Sequence, residues 1–229
     1  MEEIDFKQRI FVSVTGQGSG WRRKVRDINR QGIAAAAVFV ERLERGERHK
    51  LYAALLRSSI KSVPLVHLRH DADASEIDFF INKFKTKFFN VHESNFDILS
   101  RWQGYWDKLY LEMNYDDRIA ANVDVSKIGG FCVDLAHLKA AISRGAGEAF
   151  YILSRKGTKV SSNHLGGYSQ IGDHDVHFVK DMKDFNYLSS LPKGEFGEVI
   201  ALEVDNNITD QLKFKERVAA ILNNYFSKT

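Results

Sequence analysis

The feature that most constrains this chain is an alternation: short β-branched or apolar runs are separated again and again by segments whose apolar residues fall at helical spacing. The runs predict strands at Ile10 to Thr15, Ala35 to Glu41, Ser62 to His67, Phe88 to His92, Leu109 to Glu112, Phe131 to Asp134, Val160 to His164 and Val199 to Glu203. Helices are expected between them, over Ser19 to Gln31, Glu47 to Ser58, Ser75 to Phe84, Asn95 to Trp106, Asp116 to Asn122, Leu138 to Leu153, Val179 to Leu191 and Thr209 to Phe226. Ser19 and Thr209 fit N-caps and Gly32 a C-cap. Runs that are continuous rather than alternating describe strands buried on both faces, as in a parallel sheet covered by helices. Eight such units predict an α/β fold, a single (β/α)8 TIM barrel, and 229 residues leave about 29 per unit, compact against the ~250 typical of that fold. An open doubly wound sheet is the alternative that the same alternation permits. With only two prolines, Pro64 and Pro192, and no low-complexity linker, residues 1–229 are expected to form one domain.

Laid on this map, acids and imidazoles gather at the carboxyl ends of the strands. The third strand ends at His67 with His70 just beyond, the fourth at His92, the fifth at Glu112, the seventh at His164 and the eighth at Glu203. The sixth, in "FCVDLAH", carries Asp134 and His137, and the loop "GDHDVH" adds Asp173, His174, Asp175 and His177. In a parallel barrel all carboxyl ends open onto one mouth. Several carboxylates desolvated together there repel one another unless something cationic joins them. A divalent metal is therefore the expected cofactor. Imidazole with carboxylate and no thiolate suits zinc, manganese, iron or cobalt better than calcium, and magnesium stays a candidate. Cys132, the only cysteine, reads as a buried small hydrophobe and excludes an intrachain disulfide.

The order Glu112, Asp134-x-x-His137, His164, Glu203 along strands five to eight resembles the xylose-isomerase-like barrels, a superfamily of sugar isomerases, ketose epimerases and DNA repair enzymes of the endonuclease IV type. The epimerase branch implies one metal held by Glu112, Asp134, His164 and Glu203, with the two glutamates also flanking the substrate. The endonuclease branch implies three zinc ions, with His67, His92, His137, Asp175 and His177 completing a set of nine. The surroundings depart from both branches: His92 is followed by Glu-Ser rather than Pro-Gly, and "LGGYSQIGDHD" lacks an arginine.

Two reactions are expected, in this order. The first is isomerisation or epimerisation of a small sugar or sugar phosphate, in which Glu112 and Glu203 move a carbon-bound proton and His137 contacts the substrate. The second is metal-dependent hydrolysis of a phosphoester at a di- or trinuclear zinc site. A barrel that binds a ligand without catalysis is a third reading. His67, His70, Arg22 and Arg23 are expected to meet the substrate, the arginines from the loop "TGQGSGWRRK". That loop, with Glu41 ending the next strand, also looks something like a dinucleotide-binding fingerprint, but Trp21 stands where the third glycine belongs.

A net charge of +3 argues against nucleic acid as partner. No apolar run approaches the ~20 residues of a membrane span. The acidic start "MEEIDFKQRI" lacks the apolar core of a signal peptide, so a cytoplasmic location is expected. A homo-oligomer is left open.

Overall fold

The computed structural model describes residues 5–15, 19–154 and 158–228. Its sheet contains β1 (Ile10–Phe11), β2 (Ser13–Val14), β3 (Ala37–Phe39), β4 (Leu65–His67), β5 (Phe88–His92), β6 (Leu109–Glu112), β7 (Gly130–Asp134), β8 (Val160–Leu165) and, after a hairpin of β9 (Gly167–Ser169) with β10 (His174–Val176), β11 (Val199–Leu202). Every pairing in the large sheet is parallel, and from β2 to β8 each strand pairs with the next in sequence; β11 pairs with β8 beyond the hairpin and with β1 on its other side. β1 and β2 are two halves of one extended segment. Ile10 pairs with Ile200 of β11, Ser13 pairs with Ala37 of β3, and the Val12 carbonyl between them accepts from Ala37 N at 2.9 Å. The sheet thereby returns on itself as a TIM barrel with the eight strand positions expected. An open doubly wound sheet, with its topological switch point, is excluded by that closure.

Helices α1 (Trp21–Arg30), α2 (Arg45–Leu55), α3 (Ala74–Phe84), α4 (Leu135–Arg144), α5 (Gly147–Ser154) and α6 (Ile208–Ser227) cover the outside. The main core lies between sheet and helices, where Ile28, Leu51, Leu55, Phe80, Leu138, Val218 and Leu222 pack on Val38, Val66, Phe89, Leu111 and Val133. Each such side chain contributes ~1.5–3 kcal/mol on burial.

Four predicted helices form differently. The stretch Asn95 to Trp106 is 3-10 structure (Glu93–Trp102, then Trp106–Lys108), because Asn95 turns its side-chain oxygen back to His92 N at 2.9 Å. Asp116 to Asn122 is not helical. Glu93 takes the amides of Asn114 and Ala120, Glu148 takes that of Asp116, and Tyr115 and Asp117 have φ of 58° and 64°. Val179 to Leu191 holds the 3-10 segment Met182–Ser190. The helix expected over Leu138 to Leu153 is two, because Gly145 (φ 66°) caps α4 in a left-handed conformation. The caps shift as well: Gly20 precedes α1 without a side-chain bond, and Asn207 rather than Thr209 caps α6.

Candidate metal centre

Alternate side chains of a strand face the same side of the sheet. The barrel interior is filled by Ala37, Phe39, Leu65, Phe88, Tyr110, Cys132, Val199 and Ala201. Two residues further along the same strands stand Glu41 after Phe39, His67 after Leu65, Glu112 after Tyr110, Asp134 after Cys132 and Glu203 after Ala201. The mouth residues therefore continue the interior layer: apolar at depth, ionisable where each strand surfaces. Strand register aligns them, His92 beside Glu112 and Asp134 beside His164.

These side chains form sets in which one donor atom from each residue lies within 4.8 Å of every other: Glu112, Asp134, His164 and Glu203 at the centre; His67, His92 and Glu112 on one side; His137, Asp175 and His177 on the other. His67 also groups with His164 and Glu203. In the central set His164 Nδ1 is 3.0 Å from Glu112 Oε1 and 3.2 Å from Glu203 Oε2. On the first side His67 Nε2 is 3.1 Å from His92 Nε2 and 3.6 Å from Glu112 Oε2. On the other, Asp175 Oδ2 lies 2.9 Å from His177 Nε2 and 3.6 Å from His137 Nε2. Donors of this type, without lysine or arginine among them, fit divalent transition-metal ions.

Neighbouring groups hold the donors in place. Asn90 donates to Glu112 Oε2 at 2.7 Å from inside the barrel. Asp134 caps α4, its Oδ1 accepting from Ala136 N and His137 N, both at 2.9 Å. That cap accounts for the D-x-x-H spacing, because it sets His137 on the first turn of the helix. Tyr115 stacks flat on the His137 ring at 4.3 Å, and its hydroxyl meets the Asp134 backbone at 3.1 Å. His177 Nδ1 lies 3.2 Å from the Glu203 carbonyl, an arrangement that leaves Nε2 for the set. In β10 the period of two puts Asp175 and His177 on one side and turns His174 out to solvent. Asp173 is instead bound by the Tyr168 hydroxyl.

Charges at the mouth are strongly coupled. Burial, reinforced by Glu203 and Glu112, raises Asp134 to about 6 against the pull of His137. Burial also opposes ionisation of Glu112 and Glu203, yet His164 outweighs it, taking Glu112 to about 2 and Glu203 below the usual carboxylate range. His164 itself is desolvated, but Cys132, Glu112 and Glu203 hold it well above the ordinary imidazole range. Burial, with the neighbouring His92 and His164, pushes His67 well below it. The mutual hydrogen bond of Asp175 and His177 overcomes burial in both, lowering the acid to about 2 and raising the imidazole to about 9. Protons favoured on His164 and His177 thus offset part of the acidic charge, and a cation entering these sets would compete with them.

The structure brings together all nine sequence-derived ligand candidates. His70 is exposed and lines, with Glu41, Arg69 and His92, a cavity of about 400 Å³ beside the first set. Arg22 and Arg23 are not brought to the sets: Arg22 reaches Glu47 on α2 at 3.2 Å, and Arg23 is exposed beside Asp27. Gly16 and Gly18 of the glycine-rich stretch lie outside the described residues. Sequence reasoning missed Asn90 and Tyr115, and it assigned Glu41 to a different motif. The period of two from interior to mouth marks both Asn90, between Phe88 and His92, and Glu41.

The barrel is similar to a crystal structure of a D-tagatose 3-epimerase-like protein, with a TM-score of 0.53 and 14% identity over 96% of this chain and 99% of that one. At that identity the likeness shows the class of fold, a TIM barrel, and nothing finer. No family profile and no curated protein sequence matches the chain.

Proposed function

We propose that the chain is a metal-dependent hydrolase of a small phosphoester, with three cation sites across the barrel mouth. The observation that carries this reading is that nine residues form overlapping sets spread across the mouth: the central four share Glu112 with His67 and His92, and His164 and Glu203 with His67, while His137, Asp175 and His177 stand apart as a set of their own. Single-metal proton-transfer chemistry employs only the central four and leaves His67, His92, Asp175 and His177 without a task. His137 supports the same choice, since its Nε2 faces Asp175 in the third set rather than standing apart as a substrate contact.

When bound, divalent cations at such sets polarise phosphoryl oxygens and make water acidic enough to attack near neutral pH. The chain's own residues hold and orient them. Glu112, Asp134, His164 and Glu203 supply the central site, His67 and His92 the first with Glu112, and His137, Asp175 and His177 the third. Glu203, with its side chain 12% exposed, is the most accessible of the central four and the one assigned to meet a substrate. The 400 Å³ cavity beside His92 suits a small molecule.

A second reading, isomerase or epimerase action on a small carbohydrate, is favoured by one specific arrangement. Glu112 and Glu203 stand on either side of His164, as a pair exchanging a carbon-bound proton would. The similar solved structure, an epimerase-like protein by its title, agrees with it.

Elemental analysis of purified protein together with two assays decides between the readings. Two or three metals per chain and turnover of a phosphomonoester or phosphodiester support the hydrolase. One metal per chain, with ketose epimerisation and no phosphoester cleavage, rejects it in favour of the second.

A further inference from the structure

The first ligand set contains an arrangement that neither reaction accounts for. His67 offers Nε2 to His92 and Glu112, which leaves Nδ1 on the far side of the ring. That atom is buried without a hydrogen-bond partner, and so is one carboxylate oxygen, Glu41 Oε2. The two lie 3.8 Å apart and face each other. The other oxygen, Glu41 Oε1, is 3.4 Å from Arg42 Nε, so the carboxyl group is anchored on one side and free on the other.

The backbone fixes this meeting. Phe39 pairs with His67 across β3 and β4, and Val40 N donates to the His67 carbonyl at 3.0 Å. One residue further, Glu41 falls on the interior side and surfaces next to the imidazole. Leaving both an imidazole nitrogen and a carboxylate oxygen unpaired in the interior forfeits their hydration with nothing in return. A side-chain adjustment of ~1 Å brings the pair to hydrogen-bonding distance and removes that cost. A histidine whose Nδ1–H is held by a carboxylate presents Nε2 as a lone pair, in a fixed orientation and with increased basicity.

We propose that Glu41 is a positioning residue: it holds the proton of His67 on Nδ1 and so directs Nε2 into the first ligand set. This rests on the metal-centre reading above, and the test separates the two. Nitrogen-15 NMR of the metal-free full chain, assigned by loss of the signal in His67→Asn, reads the tautomer. Competition for zinc against a chromophoric chelator then reads affinity in wild type, Glu41→Gln and Glu41→Ala, with thermal melting to establish that each is folded. Wild type is expected to carry the His67 proton on Nδ1. Glu41→Ala is expected to lose that preference and weaken zinc at one site about 10–100-fold, while Glu41→Gln, whose amide oxygen still accepts, stays within about tenfold of wild type. A wild-type His67 protonated on Nε2 overturns the proposal even where a variant is unstable, and so does a folded Glu41→Ala with unchanged tautomer and affinity. Wild type that takes up no zinc while His67 keeps its proton on Nδ1 overturns the metal-centre reading and leaves the role of Glu41 in the tautomer standing.

Discussion

Replacing Glu112 tests the centre most sharply, because its carboxylate belongs to two ligand sets and none of the third. In Glu112→Ala the first set is left with two imidazoles and no anion, below the three protein ligands of an open zinc site. Its cation is expected to be lost. The central set keeps Asp134, His164 and Glu203 and should bind more weakly than wild type by over about 100-fold, more than the ~10–100-fold that loss of a merely supporting partner costs. The third set should be untouched. Even without metal, Asn90 Nδ2, which reaches Glu112 at 2.7 Å, loses its partner in the interior, whereas His164 Nδ1 keeps Glu203 at 3.2 Å. One unpaired buried group costs ~1–3 kcal/mol, so metal-free stability should fall by about that much, less the relief of repulsion between Glu112 and its neighbouring acids. Zinc titration followed by elemental analysis counts the sites, and urea denaturation of the metal-free chain gives the stability change. Full metal retention at wild-type affinity with an unchanged denaturation midpoint would refute the assignment of Glu112 as the shared ligand.

Three further outcomes are expected. His177→Ala should remove one cation per chain and leave the other two, whereas loss of all three in the elemental count would mean that the sets are not separable. Because the His177 proton is held up to about 9, zinc affinity at the third set should drop as pH falls below that value, approaching tenfold per pH unit. A pH-independent affinity between 6 and 9 would contradict the proton displacement. Gly197→Ala should destabilise the metal-free chain by ~1–3 kcal/mol in urea denaturation, since an added Cβ would lie 2.5 Å from the Ser161 carbonyl carbon in β8 and force the strand to move.

Much of this architecture is legible before folding. Most strands of the barrel are continuously apolar because they are buried on both faces, and eight runs separated by helical spacing leave few topologies. The ligand types were equally plain, because an acid or imidazole closing an apolar run is conspicuous at Glu112, Asp134 and His164. Helices whose backbone is claimed by side chains were not legible in that way. Glu93 and Glu148 take the amides around Tyr115 from another part of the chain, and no local pattern announces a partner more than twenty residues away. Arg22 shows the converse. It reads as a free cation on a mouth loop, and the packing of α1 against α2 gives it Glu47 instead.

The sequence by itself therefore determined the alternation, the parallel sheet and the chemical kinds of residue at each strand end, since burial and periodicity are written in local order. Only the tertiary structure decided how those residues divide among themselves. Closure of the barrel through Val12 makes a ring of the strand ends, strand register sets His92 beside Glu112, and His164 reaches the same acid from two strands away. The Asp134 cap and the Tyr115 stack settle His137 toward Asp175. Distances across the mouth depend on backbone hydrogen bonds between residues far apart in the chain, and those come into existence only when the sheet closes.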